Sequence, residues 1–372
     1  MPFQPLKGIR VLDLSRLAAG ALATKRLADL GADVVKIEDP RRGDYLRTIP
    51  PLVDGVGIMH RVLNRGKRSV TADLTTEAGV KTLSDLASRA DVIVEVSRST
   101  ESTRAIDLAA LHARRPQLVI CTITGFGPGG PLSELPAHGM NMDAWAGILP
   151  VSNDHRGPAI ASDISISVEL GGVNAALAIA SALVEARRTG RGEWIEISCW
   201  DAAVEADRVA LAFQSDTGQT MPAVADLGPL YDVYITADNE LVMFGAIEER
   251  FWVRFCEEVG RTDLIAKWSG TDVDFGSDDL ASELVAIFAS ETAAVWEKRF
   301  VEWGIPASIV LSRSEVLKHP HTTARALVRR GPDGVRIASP IKRRHSSDRA
   351  DSSSPAPGLG EDTDAVLAEW LG

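Results

Sequence analysis

Short β-branched segments alternate with helical segments through the first 125 residues, and this alternation restricts the possible folds more than any other feature. Four segments predict strands, at residues 9–14, 34–37, 91–96 and 118–124. The segments between them carry apolar residues at helical spacing, and Gly31 is suited to end the first helix. A helix between two consecutive strands makes those strands parallel in one sheet. The sequence therefore predicts an α/β fold with a doubly wound parallel sheet.

The position of a ligand follows from this fold, because such sheets bind ligands beyond the carboxyl ends of their strands. Three stretches fall there, at residues 14–20, 97–104 and 125–138. We expect the functional site to be built from them. The first turn, RLAAGA, has one glycine where a dinucleotide-binding turn has three, which argues against an NAD site.

The sequence pattern changes twice in the second half of the chain. Residues 171–189 form an Ala-rich helical segment that is short and flanked by charge, so we interpret it as a buried helix and not as a membrane span. From about residue 223, alternating strands meet at Asp238-Asn239, a hairpin signal. We predict a large domain at residues 1–222, a smaller α+β domain at 223–325, and a return segment at 326–372 whose C-terminal helix packs on the large domain.

Composition excludes several classes of function. The net charge of −11 argues against a general nucleic-acid binder, which needs a basic face. The three cysteines are far apart and form no CxxC pair, which argues against a zinc site or a disulfide framework. No apolar run follows a basic start at the N-terminus. We expect a cytoplasmic protein with reduced thiols, no metal, and no membrane or nucleic-acid partner.

Two groups of polar residues are candidates for chemistry. His138 and Asp163 bound the stretch HGMNMDAWAGILPVSNDHRGPAIASD. Brought to one pocket, they could abstract a proton, attack a thioester or hydrogen-bond each other. Arg65, Lys67 and Arg68 form a basic run before a predicted strand, which is either a solvated loop or a contact for phosphate.

Several motifs, in order along the chain, resemble those of the family III CoA-transferases (CaiB/BaiF), a superfamily that includes the α-methylacyl-CoA racemases. They are LKGIRVLDLS, RLADLGADVVKIEDP, NRGKRSV, ADVIVE, ITGFGPGGP, RRTGRGEWIEIS and LGEDTDAVLAEWLG. The resemblance implies a Rossmann-like large domain built from both ends of the chain, a small domain between them, and an interlocked homodimer. It also implies that the substrates are an acyl-CoA and a carboxylic acid.

Asp163 matches the family's catalytic aspartate. The resemblance implies that in a transferase this carboxylate attacks the acyl-CoA, forms a mixed anhydride, and then carries CoA as an aspartyl thioester. Without the resemblance, Asp163 could simply cap the helix that follows, a role that Ser165 or Ser167 could equally fill.

His138 matches the histidine base of the racemases, and Glu248 matches the glutamate that orients that base. This supports an alternative, racemisation of an α-methylacyl-CoA with His138 and Asp163 as the two α-proton bases. Otherwise His138 is a loop histidine and Glu248 a solvated hairpin residue. Gly139 stands where the racemases have an aspartate, and Ala159-Ile160 where they have an asparagine. GAIEERF stands where the transferases have a glycine loop.

For CoA, the resemblance points to eight residues: Leu17, Ala18, Arg65, Lys67, Arg68, Ser97, Arg98 and Arg104. The family's R-P-G at the second basic position is Arg98-Ser99-Thr100 here, so that contact differs. The first choice from the sequence is CoA transfer between carboxylic acids through Asp163, and the second is the racemase. A CoA-binding protein without catalysis is a third, disfavoured by the joint presence of Asp163, His138 and Glu248.

Overall fold

The computed structural model describes residues 3–96, 105–154, 157–223, 226–331, 334–344, 349–351 and 354–372. The chain forms two compact units. Residues 1–209 and 326–372 make the first, and residues 210–325 make the second. The first boundary lies at 209/210 and not at 222/223 as the sequence suggested. The helix that crosses it, Arg208–Thr217, buries none of its residues, so no core contact ties it to the first unit.

The strands, in chain order, are β1 (Arg10–Asp13), β2 (Asp33–Glu38), β3 (Leu52–Val53), β4 (Val56–Gly57), β5 (Arg68–Thr71), β6 (Val92–Val96), β7 (Val119–Thr124), β8 (Val151–Asp154), β9 (Gly157–Ile160), β10 (Trp194–Ser198), β11 (Asp232–Ile235), β12 (Leu241–Phe244), β13 (Ala307–Ile309), β14 (Val328–Gly331) and β15 (Gly334–Ile337). The α-helices are α1 (Ala18–Asp29), α2 (Ile58–Leu63), α3 (Glu77–Ala87), α4 (Leu108–Arg114), α5 (Gly139–Trp145), α6 (Ile166–Thr189), α7 (Cys199–Ala206), α8 (Arg208–Thr217), α9 (Glu249–Glu258), α10 (Ala281–Phe288), α11 (Ala293–Trp303), α12 (Arg313–Val316), α13 (Pro320–Ala324) and α14 (Thr363–Leu371).

The first unit is organised around a six-stranded sheet in the order β10-β7-β6-β1-β2-β5. Every strand pair in it is parallel, which confirms the predicted parallel α/β sheet. The chain moves outward from β1 through β2 to β5, and then returns to the other side of β1 with β6. The strand order therefore reverses between β1 and β6, which makes this the switch point where such sheets bind ligands.

Each face of the sheet buries its own apolar core, because alternate side chains of a strand point to opposite faces. Val92 and Val94 of β6 belong to the core that includes residues of α1 and α6. Ile93, between them, belongs to the other core, with residues of α3, α4 and α14. Trp370 of α14 is buried in that second core and donates its indole N–H to Asp33 at 2.8 Å.

Helix α6 is the long Ala-rich segment that the sequence indicated, and it begins five residues earlier, at Ile166. Ser165 caps its start and Gly190, at φ 73°, ends it. By length and composition alone the helix could cross a membrane. In the protein, 39% of its most apolar 18-residue stretch is buried. One side of the helix packs into the core of the first unit, while Leu177 and Val184 are exposed, so the helix is only partly buried.

The second unit has an antiparallel sheet, β11-β12-β13. The predicted hairpin is present, with Asn239 at φ 61° in its turn. An aromatic core covers one face of this sheet, and Phe288 stacks with Tyr234 at a ring distance of 4.8 Å and contacts Phe244 at 5.2 Å. Helices α9, α10 and α11 supply most of the remaining core.

A buried network of charges lies beneath the loop that follows β1. Lys67 pairs with Asp13 at 3.0 Å, and Lys36 pairs with Asp44 at 2.8 Å, all with side chains no more than 1% exposed. Burial opposes the ionisation of Asp13, but Lys36 and Lys67, helped by hydrogen bonds from Ser15 and a neighbouring threonine, lower its pKa to about 2. Asp13 is therefore charged at neutral pH, and the network holds matched ions.

This network also fixes an unfavourable backbone conformation. Leu17 has φ 64° and ψ −160°, a region that side chains other than glycine rarely adopt. Its N–H donates to Asp44 at 3.3 Å, and Lys36 donates to the carbonyl of Ser15 at 2.7 Å. Since such a conformation costs on the order of 1–3 kcal/mol, the contacts to buried charges are what maintain it.

Replacing Lys36 by methionine tests this account of the network. The variant leaves Asp44 and Asp13 buried without their shared cation, so we expect the free energy of unfolding to fall by about 3–5 kcal/mol. Urea denaturation measures the change. Lys81→Met is the control, because it removes an exposed pair with Asp85 and should change stability by less than about 0.5 kcal/mol. Equal effects of the two substitutions would contradict the account.

Candidate functional site

A cavity of about 510 Å³ opens in the first unit at the carboxyl edge of the sheet. It is lined by the loop after β1, by Val96 at the end of β6, and by the end of β7 with the turn that follows. The cavity thus lies at the switch point of the sheet. Of the three stretches expected to form the site, residues 14–20 and 125–138 contribute to it. The third, residues 97–104, lies outside the described residues.

His138 and Asp163 both line this cavity, so the two ends of the stretch chosen from the sequence meet at one site. His138 is exposed and directly precedes α5, and its backbone N–H donates to the side chain of Asn141 at 2.9 Å. Asp163 is exposed and lies before the capping residue of α6. Because Ser165 fills the capping position, Asp163 is not needed to cap the helix.

Two hydrogen bonds join α5 to the first turn of α6, close to these two residues. Asp143 of α5 is 1% exposed, and its carboxylate accepts a hydrogen bond from the backbone N–H of Ser167 at 2.8 Å. The hydroxyl of Ser167 donates to the carbonyl of Gly139 at 3.1 Å. The buried carboxylate faces the first turn of α6, where the helix dipole favours negative charge. We call these three residues, Gly139, Asp143 and Ser167, the helix clamp.

Gly139 makes the close approach of the two helices possible. A Cβ built at this position would lie 2.5 Å from Oγ of Ser165 and 2.9 Å from Cγ2 of Val168. There is no space here for the aspartate that the racemases carry after their histidine. The glycine that sets this chain apart from that pattern is therefore a packing requirement of the clamp.

Among the residues expected to bind CoA, Leu17 and Ala18 line the cavity. Helix α1 begins there, and its capping position is occupied by Leu17, whose side chain cannot cap. Arg16 also lines the cavity, with its guanidinium 6.0 Å from the centre of the Tyr45 ring. The sequence did not single out Arg16, although the stretch 14–20 that was expected to form the site includes it.

The basic run does not reach the cavity. Lys67 is buried and donates to Asp13, to the carbonyl of Ala21 and to Asn64, so its ammonium is used within the fold. Arg65 is 8% exposed and donates to the carbonyl of Ser354 at 3.3 Å. The suggested role of these side chains at a CoA phosphate stays a prediction.

Arg68 lies at the amino edge of the sheet, and its suggested role in binding CoA stays a prediction. It is the first residue of β5, and it pairs with Asp33 at 2.6 Å and Glu369 at 2.7 Å. Asp33 is the first residue of β2, so both lie at the amino edge, opposite the cavity. The residue ties helix α14 to the sheet.

Four other predicted residues cannot be placed at the cavity. Ser97, Arg98 and Arg104 lie outside the described residues. Glu248 belongs to the second unit, where it precedes α9 without capping it, so its suggested part in orienting the histidine stays a prediction. In the part of the chain that the structure describes, no group of three or more His, Cys, Asp or Glu side chains is arranged to hold a metal ion.

Comparison with known proteins identifies the family. The sequence model of CoA-transferase family III matches residues 6–363. The chain belongs to CoA-transferase family III. It is 30% identical to the succinate–glutarate CoA-transferase of Agrobacterium fabrum, over 98% of this chain and 95% of that one. It is 29% identical to a probable fatty acyl-CoA transferase of Mycobacterium tuberculosis, over 99% and 98% of the two chains.

The fold agrees with this assignment. A crystal structure of a CaiB/BaiF family protein from Brucella suis superposes with a TM-score of 0.82 at 26% identity and covers 99% of both chains. The family III resemblance seen in the sequence motifs is thereby confirmed. An enzyme of the CoA-transferase type uses CoA thioesters and carboxylates as substrates.

Gly139→Ala tests whether the helix clamp matters for activity. The added methyl group must push α5 away from α6, and a displacement of about 1 Å at reacting groups can lower turnover about 100-fold. We therefore expect kcat of CoA transfer to fall by about 10- to 100-fold with little change in KM. Gly129→Ala is the matched control, because a Cβ there meets nothing within 4 Å. Wild-type turnover in the Gly139 variant would show that the clamp does not position the site.

Proposed function

We propose that this protein transfers CoA between two carboxylic acids, with Asp163 as the nucleophile. The observation that carries the proposal is the place of its carboxylate, which lines the cavity at the switch point while Ser165 takes over the capping of α6. A carboxylate that lines a cavity at this place can act as a nucleophile in covalent catalysis. The names of the relatives support the same reaction type.

The proposed reaction has four steps. The carboxylate of Asp163 attacks the acyl-CoA carbonyl and releases the CoA thiolate, which leaves a mixed anhydride. The thiolate then attacks the aspartyl carbonyl, which releases the first carboxylic acid as its anion and forms an aspartyl-CoA thioester. The carboxylate of the acceptor acid attacks this thioester and releases the thiolate again. The thiolate finally attacks the acyl carbonyl of the new anhydride, which forms the product and restores Asp163.

The cavity suits these intermediates because an anhydride must be kept from water. Its lining is dominated by apolar side chains, among them Leu22, Ile123 and Met142. Leu17 and Ala18 line the cavity after β1, and we propose that the CoA arm passes along their backbone. Apolar walls also strengthen electrostatic interactions within the site.

Removing the nucleophile tests the proposal. Asp163→Ala should reduce CoA transfer by more than about 1,000-fold, since no other group would carry the covalent step. In the wild-type protein, hydroxylamine added with an acyl-CoA should leave a hydroxamate on the peptide that contains Asp163, detected by mass spectrometry. Glu169→Gln is the control, because Glu169 lines the same cavity. A hydroxamate on Glu169, or none on either residue despite turnover, would refute the assignment.

Racemisation of an α-methylacyl-CoA is the second candidate, and one observation favours it. His138 and Asp163 line the same cavity, as two bases on opposite sides of an α-carbon must. Incubation of a 2-methylacyl-CoA in deuterated water distinguishes the two reactions. Deuterium at the α-carbon without an acceptor acid, and its loss in His138→Ala, would support the racemase and contradict the transferase.

We also propose that the working form is a homodimer, interlocked as the family resemblance implies. Helix α6 supports it, because Val173, Leu177 and Val184 are 40%, 64% and 68% exposed and follow one another at helical spacing on one side. Leu177→Glu should therefore favour monomers. Light scattering after gel filtration measures the mass, with exposed Val301→Glu in the second unit as the control. A monomeric wild-type protein would contradict the proposal.

A further inference from the structure

The lining of the cavity restricts the acyl group that it can take. Most of the side chains in it are apolar, including Leu46, Ile49, Leu63 and Val168. Three of them are methionines, Met59, Met140 and Met142. Methionine is unbranched and adapts its shape, so such walls fit aliphatic chains of more than one length.

The charges of the side chains that line the cavity disfavour an acyl group that carries a second, distal carboxylate. Among the described residues that line the cavity, Arg16 is the one side chain with a permanent positive charge, against the carboxylates of Asp163 and Glu169. The guanidinium of Arg16 lies over the Tyr45 ring. An acyl group with a distal carboxylate would add a third negative charge to this described set of two carboxylates and one guanidinium. Burying a carboxylate without a paired cation is strongly unfavourable.

Two members of the nearby basic run, Lys67 and Arg68, do not supply a further cation. Lys67 is fully buried in its pair with Asp13, and Arg68 is paired with Asp33 and Glu369 at the other edge of the sheet. Neither can turn toward the cavity without breaking these contacts. Among the residues that the structure describes, the lining of the cavity therefore offers few groups that recognise a dicarboxylate.

We propose that the acyl groups exchanged at this site are those of apolar monocarboxylic acids. This inference rests on the proposed transferase function and specifies its substrate class. It separates this chain from relatives named for dicarboxylates, such as the succinate–glutarate enzyme. Each further methylene that the apolar walls cover should favour binding by about fourfold, up to the length that the cavity accepts.

Exchange between an acid and its own CoA thioester measures the preference for that acid, because no second acid has to be chosen as a substrate. Carbon-13-labelled pentanoate is incubated with pentanoyl-CoA, and labelled glutarate with glutaryl-CoA, and mass spectrometry follows the label into the thioester. Both acids have five carbons and differ in the distal carboxylate. We expect kcat/KM for pentanoate to exceed that for glutarate at least about tenfold. Equal or faster exchange of glutarate would overturn this inference and leave the transferase function standing. No exchange with either acid, or with octanoate, would overturn both.

A cation placed in the wall should reverse the preference. Met140→Arg adds a positive charge to the cavity next to the helix clamp, and should raise the ratio of glutarate to pentanoate exchange at least about tenfold. Val301→Arg, at an 81% exposed position of the second unit, is the control and should keep the wild-type ratio. An unchanged ratio in an active Met140 variant would show that wall charge does not select the acid. The wild-type comparison remains decisive if the variant does not fold.

Discussion

The ion pair between Lys36 and Asp44 is the interaction on which the geometry of the site depends most. It is buried beneath the loop after β1, and it holds both ends of that loop through the carbonyl of Ser15 and the N–H of Leu17. Leu17 stays in a conformation that its side chain disfavours, and helix α1 starts at the cavity as a result. The buried ion pair thus stabilises the unfavourable backbone conformation of Leu17 at the edge of the cavity.

The parallel sheet and the place of the cavity could be predicted from the sequence, because both follow from the order of strands and helices. The sequence motifs also pointed to His138 and Asp163, and both line that cavity. The position of Arg68 relative to the cavity could have been read from the strand pattern. A residue at the start of a parallel strand lies at the amino edge, and Arg68 is the first residue of β5. The buried pair of Lys67 with Asp13 could not be predicted, because the two residues are distant in sequence.

The helix clamp shows what a linear motif leaves out. Asp143 and Ser167 are separated by a hairpin, and nothing in their spacing indicates that one accepts a hydrogen bond from the other. Gly139 looked like a lost functional residue when compared with the racemases. In three dimensions it is the contact point of two helices. A departure from a family pattern can therefore mark a change in packing as readily as a change in chemistry.

The return of the chain to the first unit has a consequence for biosynthesis. Val366 and Trp370 complete one of the two cores of the sheet, and Glu369 completes the ion pairs of Arg68. While the polypeptide emerges from the ribosome, strands β1 to β10 are therefore present long before the helix that completes the core on one of their faces. The second unit has its own aromatic core and is translated in between. The nascent sheet must wait with an apolar surface uncovered, so chaperone protection is most needed in that interval.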